Sequence, residues 1–186
     1  KHIYISQENI KALEAPNNAI DTEKQKIILL KIFILQAAIN KHYQNVKQLP
    51  QDLYHRPLLL TLVNSVNTDD SDLELYFKEI EKIAIGNNLN QNLLNQAVNE
   101  LIIELSSKDA KFIFEETAIN QEIVDTIKHI QYADILKYVF NSDTNGKIEV
   151  LKIPGNKQEL VFKLVTSSQP FALMKIGDIS EWLENK

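Results

Sequence analysis

The chain contains no cysteine. That excludes disulfides, thiolate nucleophiles, iron–sulfur clusters and cysteine-based zinc sites together. It fits a reducing compartment such as the cytoplasm without requiring one. Glycine is also scarce, with four in 186 residues, at Gly86, Gly146, Gly155 and Gly177. Loops that cradle phosphates need clustered glycines so that backbone N–H groups can approach the anion, and no two glycines here are close enough. No G-x-S-x-G or H-E-x-x-H pattern is present, and no serine stands out as a nucleophile.

Arginine is nearly absent as well, since Arg56 is the only one among 20 basic residues. The net charge is −5. It is unevenly spread: residues 1–50 carry +3, 51–110 carry −6, 111–145 carry −3 and 146–186 carry +1. A nucleic-acid binder usually presents a basic face with several arginines, so nucleic acid is disfavoured as a partner. The longest apolar run, Ile27 to Ile39, is broken by Lys31 and Gln36. It falls short of the roughly 20 residues that cross a bilayer, so no transmembrane segment is expected. The chain begins at Lys1 rather than methionine and reads as an excised domain or a processed product.

What is present is ordinary globular material: 44% hydrophobic and 24% charged residues. A folded chain of this size buries roughly 70% of the surface its unfolded form exposes, enough to need neither disulfide nor metal. The patterns predict a mainly α (α+β) fold. A helical bundle of five to seven helices occupies 1–134, and a small antiparallel β-meander of three or four strands with a short C-terminal helix occupies 135–186, packed as one unit with the bundle.

The helices are read from period and punctuation. Ser6 to Ala15 is a short helix ended by Pro16. Thr22 and Gln25 form a capping box for a long helix that Pro50 stops. Between Ile27 and Ile39 this helix is apolar on nearly every side, so it belongs at the centre. Pro57 starts a helix to Asn64. Ser71 and Glu74 cap Asp72 to Ile85, whose apolar face holds Leu73, Tyr76, Phe77, Ile80 and Ala84, with Gly86 past its end. Gln91 to about Leu105 follows. Lys111 to Glu115 is ambiguous between a helical turn and a strand. Asn120 caps a helix from Gln121 to about Tyr132.

The period then changes to two. Lys147 to Val150 and Leu160 to Val165 alternate as half-buried strands do, with Pro154-Gly155-Asn156 turning between them. Phe171 to Ile176 is a further strand. Asn145-Gly146 is a strong hairpin signal, so Lys137 to Asn141 is predicted as an added strand. Asp178 to Glu184 closes the chain as a short helix carrying the lone tryptophan, Trp182.

Four constellations bear on chemistry. Residues 141–152 resemble an EF-hand loop: Asn141, Asp143 and Asn145 supply oxygens, Gly146 the turn, Ile148 the apolar position and Glu149 an acid. The closing bidentate glutamate is replaced by Lys152, whose ammonium repels a cation, and Asn141 stands where an aspartate is usual. A tight Asn-Gly turn between strands is the better reading. Asp69, Asp70, Asp72 and Glu74 gather at a helix start, where acids complement the helix dipole more often than they bind metal. Asp125 and His129 lie four apart on one helical face, a spacing at which a carboxylate can orient an imidazole for acid–base work. With no nucleophile or third ligand nearby, a solvated face is the better reading. No metal or cofactor is expected.

The fourth constellation is the connection from Lys41 to Arg56. It gathers Lys41, His42, Tyr43, Lys47, Tyr54, His55 and Arg56 between two apolar helices. Arg56 can grip a carboxylate or phosphate with two parallel hydrogen bonds, and a helix beginning at Pro57 adds positive potential. These residues are candidates for partner or anion binding, against the alternative that they pack on the core with polar tips in water. With no catalytic signature in the chain, the expected function is a non-catalytic interaction module recognising a protein partner. The rivals are a module for an anionic ligand or membrane surface using Lys41 to Arg56, and an enzyme with a dispersed carboxylate and histidine site.

Overall fold

The computed structural model describes residues 22–45, 59–61, 72–86, 89, 91–106 and 119–175. Among these are five helices and one three-stranded antiparallel sheet, a mixed α+β fold. Backbone contacts divide the chain into two compact units, Lys1–Pro57 with Asn90–Ile135, and Leu58–Leu89 with Leu136–Lys186. The helices expected at Ser6 to Ala15 and Asp178 to Glu184, and the ambiguous Lys111 to Glu115, lie outside the described residues.

In the first unit the long helix α1 spans Thr22–Asn45. Its apolar residues recur on every side, and all sides are covered. Leu30, Ile34, Ala37 and Ala38 have no exposed surface, and Ile27, Ile28, Phe33 and Leu35 are buried with them. Helices α3, Gln91–Ser106, and α4, Gln121–Ile127, pack against α1. α3 contributes Leu94, Ala97, Val98 and Leu101, a stripe at helical spacing, and α4 contributes Ile123, Val124 and Ile127. One charge sits inside this seam. Lys31 is only 4% exposed. Its ammonium donates to Glu104 at 2.7 Å and to Glu100 at 3.4 Å, two carboxylates one turn apart on α3. A buried ammonium is tolerated only when paired in this way.

α4 starts where the sequence predicts: the Asn120 side chain accepts the N–H of Glu122 at 3.0 Å. It ends five residues short of the expected Tyr132. The chain turns through Lys128 and His129, with His129 N–H bonding the Thr126 carbonyl and Ile130 N–H the Ile127 carbonyl. Ile130 is thereby buried, and the Asp134 carboxylate takes the N–H of Gln131. That bond is one half of a capping box, and it starts a new helix α5, Tyr132–Tyr138.

In the second unit helix α2 spans Asp72–Ile85, with the predicted bounds. Strands β1, Ile148–Lys152, β2, Glu159–Leu164, and β3, Pro170–Lys175, form an antiparallel meander in the order β1-β2-β3. Leu160, Phe162 and Leu164 of β2 alternate inward as the period of two demands. Leu73 and Phe77 of α2 join Leu160, Phe162 and Met174 in one core cluster. The Phe77 and Phe162 rings lie 5.6 Å apart, a tilted pair. The β1–β2 hairpin turns at Pro154-Gly155-Asn156 as expected, with Gly155 at φ +78 in the left-handed region.

Three expectations fail in this unit. Residues 59–61 of the helix predicted at Pro57 to Asn64 are not helical. Proline at a first helical position needs capping residues before it and a periodic pattern after it, and a run of leucines has no period. Lys137 to Asn141 is not a strand: α5 runs through Tyr138, and the chain reverses at Asn141, which has φ 56. Asn145-Gly146 is therefore no hairpin turn between strands. It leads from this reversal into β1 and bonds to the end of α2 instead.

Burial of α1 predicts a sharp contrast between two isoleucines of the first unit. Ile34→Ala should cost about 2–5 kcal/mol by removing packed atoms and leaving a cavity, whereas Ile103→Ala, at a site 69% exposed, should stay within about 0.5 kcal/mol of the parent. Urea unfolding of both variants measures this, and equal losses would contradict the central position of α1. A second expectation concerns alkaline pH. Desolvation pushes the Tyr132 phenol up from 10.0 to about 12. The unfolded chain therefore ionises first, and this stabilisation, intact below pH 10, is lost as pH rises towards 12. Tyr132→Phe should flatten that part of the alkaline melting profile.

Candidate functional site

Where α1 loses its apolar character it becomes one wall of a groove. Lys41, His42 and Asn45 from its last turns face Glu122, Asp125 and Thr126 of α4 and His129 of the following turn, around an open volume of about 550 Å³. The sequence places Lys41 and His42 in one candidate set and Asp125 and His129 in another, and the fold brings both into this groove. Tyr43 is next to it, its ring 5.1 Å from that of His42 in an edge-on contact. Lys47, Tyr54, His55 and Arg56 lie outside the described residues.

The positive groups are already answered. The Lys41 ammonium donates to Asp134 at 2.9 Å, with both side chains largely covered. His42 Nε2 is 3.5 Å from a carboxylate oxygen of Glu122. His42 is 13% exposed and Glu122 is 72% exposed, so the imidazole lies deep and the carboxylate stands at the rim.

The Asp125–His129 pair does not form the arrangement that acid–base chemistry needs. His129 Nδ1 is 2.9 Å from the backbone carbonyl of Asp125, not from its carboxylate. A carbonyl only accepts, so Nδ1 is the donor in this contact. The Asp125 carboxylate instead accepts from Lys128 at 2.7 Å and from Gln121 at 3.3 Å. The Lys128 hydrogen bond first, and that of Gln121 second, hold its carboxyl below the usual range. Asp125 is thus a fixed anion on the rim. Asn45, Glu122 and Thr126 belong to the groove without any advance signal, because nothing local to Glu122 marks its proximity to His42.

The EF-hand-like segment is tied into the fold through its side-chain amides and hydroxyls. The Asn141 amide donates to the Pro170 carbonyl, and Ser142 and Thr166 hydroxyls bond each other and the Thr144 carbonyl. The Asn145 amide donates to the Ile85 carbonyl at 2.7 Å. These bonds join the segment to Pro170, Thr166 and Ile85. Of the acids near α2, Asp69 and Asp70 lie outside the described residues, and Glu74 pairs with Lys78 at 2.8 Å. Among the described residues, no three histidine or acidic side chains are grouped as metal ligands, and no helix is long and apolar enough to cross a membrane. Millimolar calcium is expected to leave the melting temperature unchanged. A rise that Asp143→Ala abolishes would overturn that expectation.

Comparison of the chain with protein-family models, with curated proteins and with solved structures returns no match.

Proposed function

We propose that this protein is a non-catalytic interaction module, and that the groove between the end of α1 and α4 receives a polypeptide segment of a protein partner. The observation that carries the reading is the lining itself. It alternates donors and acceptors of both signs, from Lys41, His42, Asn45, Glu122, Asp125 and Thr126. Such a lining suits the mixed polar contacts of a peptide backbone and its side chains. The carboxylate that could orient His129 as a base is held by Lys128 and Gln121, which weighs against an acid–base role for that histidine.

The sign of the rim selects the partner's chemistry. Glu122 exposes its carboxylate, Asp125 exposes its own beside Lys128, and the ammonium of Lys41 is turned to Asp134. A segment carrying lysine or arginine gains from this rim, and an acidic one is repelled. The rival anionic-ligand reading requires Lys41 and His42 to leave their carboxylates, or the anion to be held by Lys47, Tyr54, His55 and Arg56.

Fluorescence polarisation with panels of basic, neutral and acidic peptides separates these readings. Basic peptides should bind, more weakly as salt rises. Glu122→Lys combined with Asp125→Lys should cut that binding by about tenfold or more, at the cost of ~1.4 kcal/mol or more of binding free energy, with the melting temperature little changed. Binding of acidic peptides alone, lost on Arg56→Lys, would replace this reading with the anionic-ligand one. Failure of all three panels would sink both.

A further inference from the structure

Asn145-Gly146 is the sole Asn-Gly step in the chain. An asparagine followed by glycine can attack itself. The glycine nitrogen, once deprotonated, reaches the asparagine Cγ unhindered because glycine has no Cβ. The new N–Cγ bond closes a succinimide ring, the Cγ–Nδ2 bond breaks, and ammonia leaves with the proton. Water then opens the ring at one of its two carbonyls, giving aspartate or isoaspartate. Water is the only other reactant.

Both atoms of this reaction are held by the C-terminal end of α2. The last carbonyls of a helix have no partner within it and must find donors elsewhere. Here the Gly146 N–H, the proton that must leave, donates to the Ala84 carbonyl at 3.1 Å. The Asn145 Nδ2, the leaving group, donates to the Ile85 carbonyl at 2.7 Å. Gly146 is also tightly enclosed: a Cβ placed on it would lie 2.9 Å from Thr166 Oγ1. The backbone therefore has little room to swing into the attacking position. Asn145 is itself exposed, so hydroxide and water reach it freely. Hydrogen bonding restrains the reaction, and exclusion of water does not.

We propose that Asn145-Gly146 is a self-modification site, a deamidation point that the α2 carbonyls hold shut and whose conversion releases that helix end irreversibly. The release follows from the product. A carboxylate has no proton to give the Ile85 carbonyl. It also places negative charge at the end of the helix where the backbone dipole is already negative. Isoaspartate adds an atom to the backbone path and shifts Gly146 away from Ala84. Opening of the helix end permits the reaction, and the reaction prevents reclosure.

The test compares the full chain in its native state with the same chain unfolded in urea, at one mildly alkaline pH and temperature. Peptide mass spectrometry follows conversion at residue 145. Unfolded chain should convert, and native chain should convert more slowly by more than about tenfold, since reaction must wait for local opening. Equal rates in the two states, or no conversion in urea, would overturn the proposal. A second arm compares Asn145→Asp with Asn145→Ser by hydrogen exchange at the Gly146 amide. Both lose the donor to Ile85, and only the first adds charge. Exchange should quicken in both and most in Asn145→Asp. Parental exchange in Asn145→Asp would overturn the claim of release.

Discussion

A helix with apolar side chains on every face has to be surrounded, and in the first unit everything else follows from α1. Ile27, Ile28, Leu29 and Leu30 are four successive residues and so point to four different sides of it, and all are buried. No single neighbour can do this, because one helix covers only a stripe. Two described neighbours, α3 and α4, lie against it, and each needs only a one-sided apolar face. That is the pattern their sequences show. The seam between α1 and α3 also explains the placement of the one buried charge. Lys31 faces the two α3 positions, Glu100 and Glu104, that lie one turn apart and can share its ammonium. A slip of α3 by one turn would leave that ammonium one carboxylate instead of two, so the pairing disfavours other registers even where its net stabilisation is small.

The groove is a consequence of the same helix. α1 stays helical to Asn45 but changes composition at Lys41. Its last turns therefore project polar groups beside α4 while its backbone is still held by the buried turns before them. α4 contributes the opposite wall, and the two elements meet across a long separation in sequence. The lining is consequently a mixture. Some of its charges are structural, as with Lys41 and Asp134, where the same carboxylate that receives the ammonium also caps the start of α5. Others, Glu122 above all, are extended to solvent.

Much of the fold was legible because it rests on local signals. Continuous apolar character marked the centre of α1, and Asn120 marked the start of α4. Gly86 marked the end of α2, and alternation marked β2. The misses at the end of α4 and at Asn145-Gly146 share a cause: a contact distant in sequence or a new cap overrode a local preference. No glycine or proline interrupts Gln121 to Tyr132, yet the helix breaks there. Asp134 takes the Gln131 N–H and so starts a new helix at Tyr132 in place of a continued α4. The groove was half legible. Its residues were singled out in two sets by type and spacing, and only the packing of α4 on α1 could show that they face one another.

Asn145-Gly146 shows most sharply how a correct local preference serves a different partner. The step favours a tight reversal because both residues tolerate unusual backbone angles, and between two strands that reversal makes a hairpin. Here the preceding segment is helical, so no strand is present to pair with β1 on that side of the turn. The donors that a hairpin would have aimed at a neighbouring strand are free to satisfy another acceptor. The end of α2 supplies it: the carbonyls of Ala84 and Ile85 accept from Gly146 and Asn145, and Gly86, at φ 79, turns the chain away from them. Two incomplete elements thus complete each other.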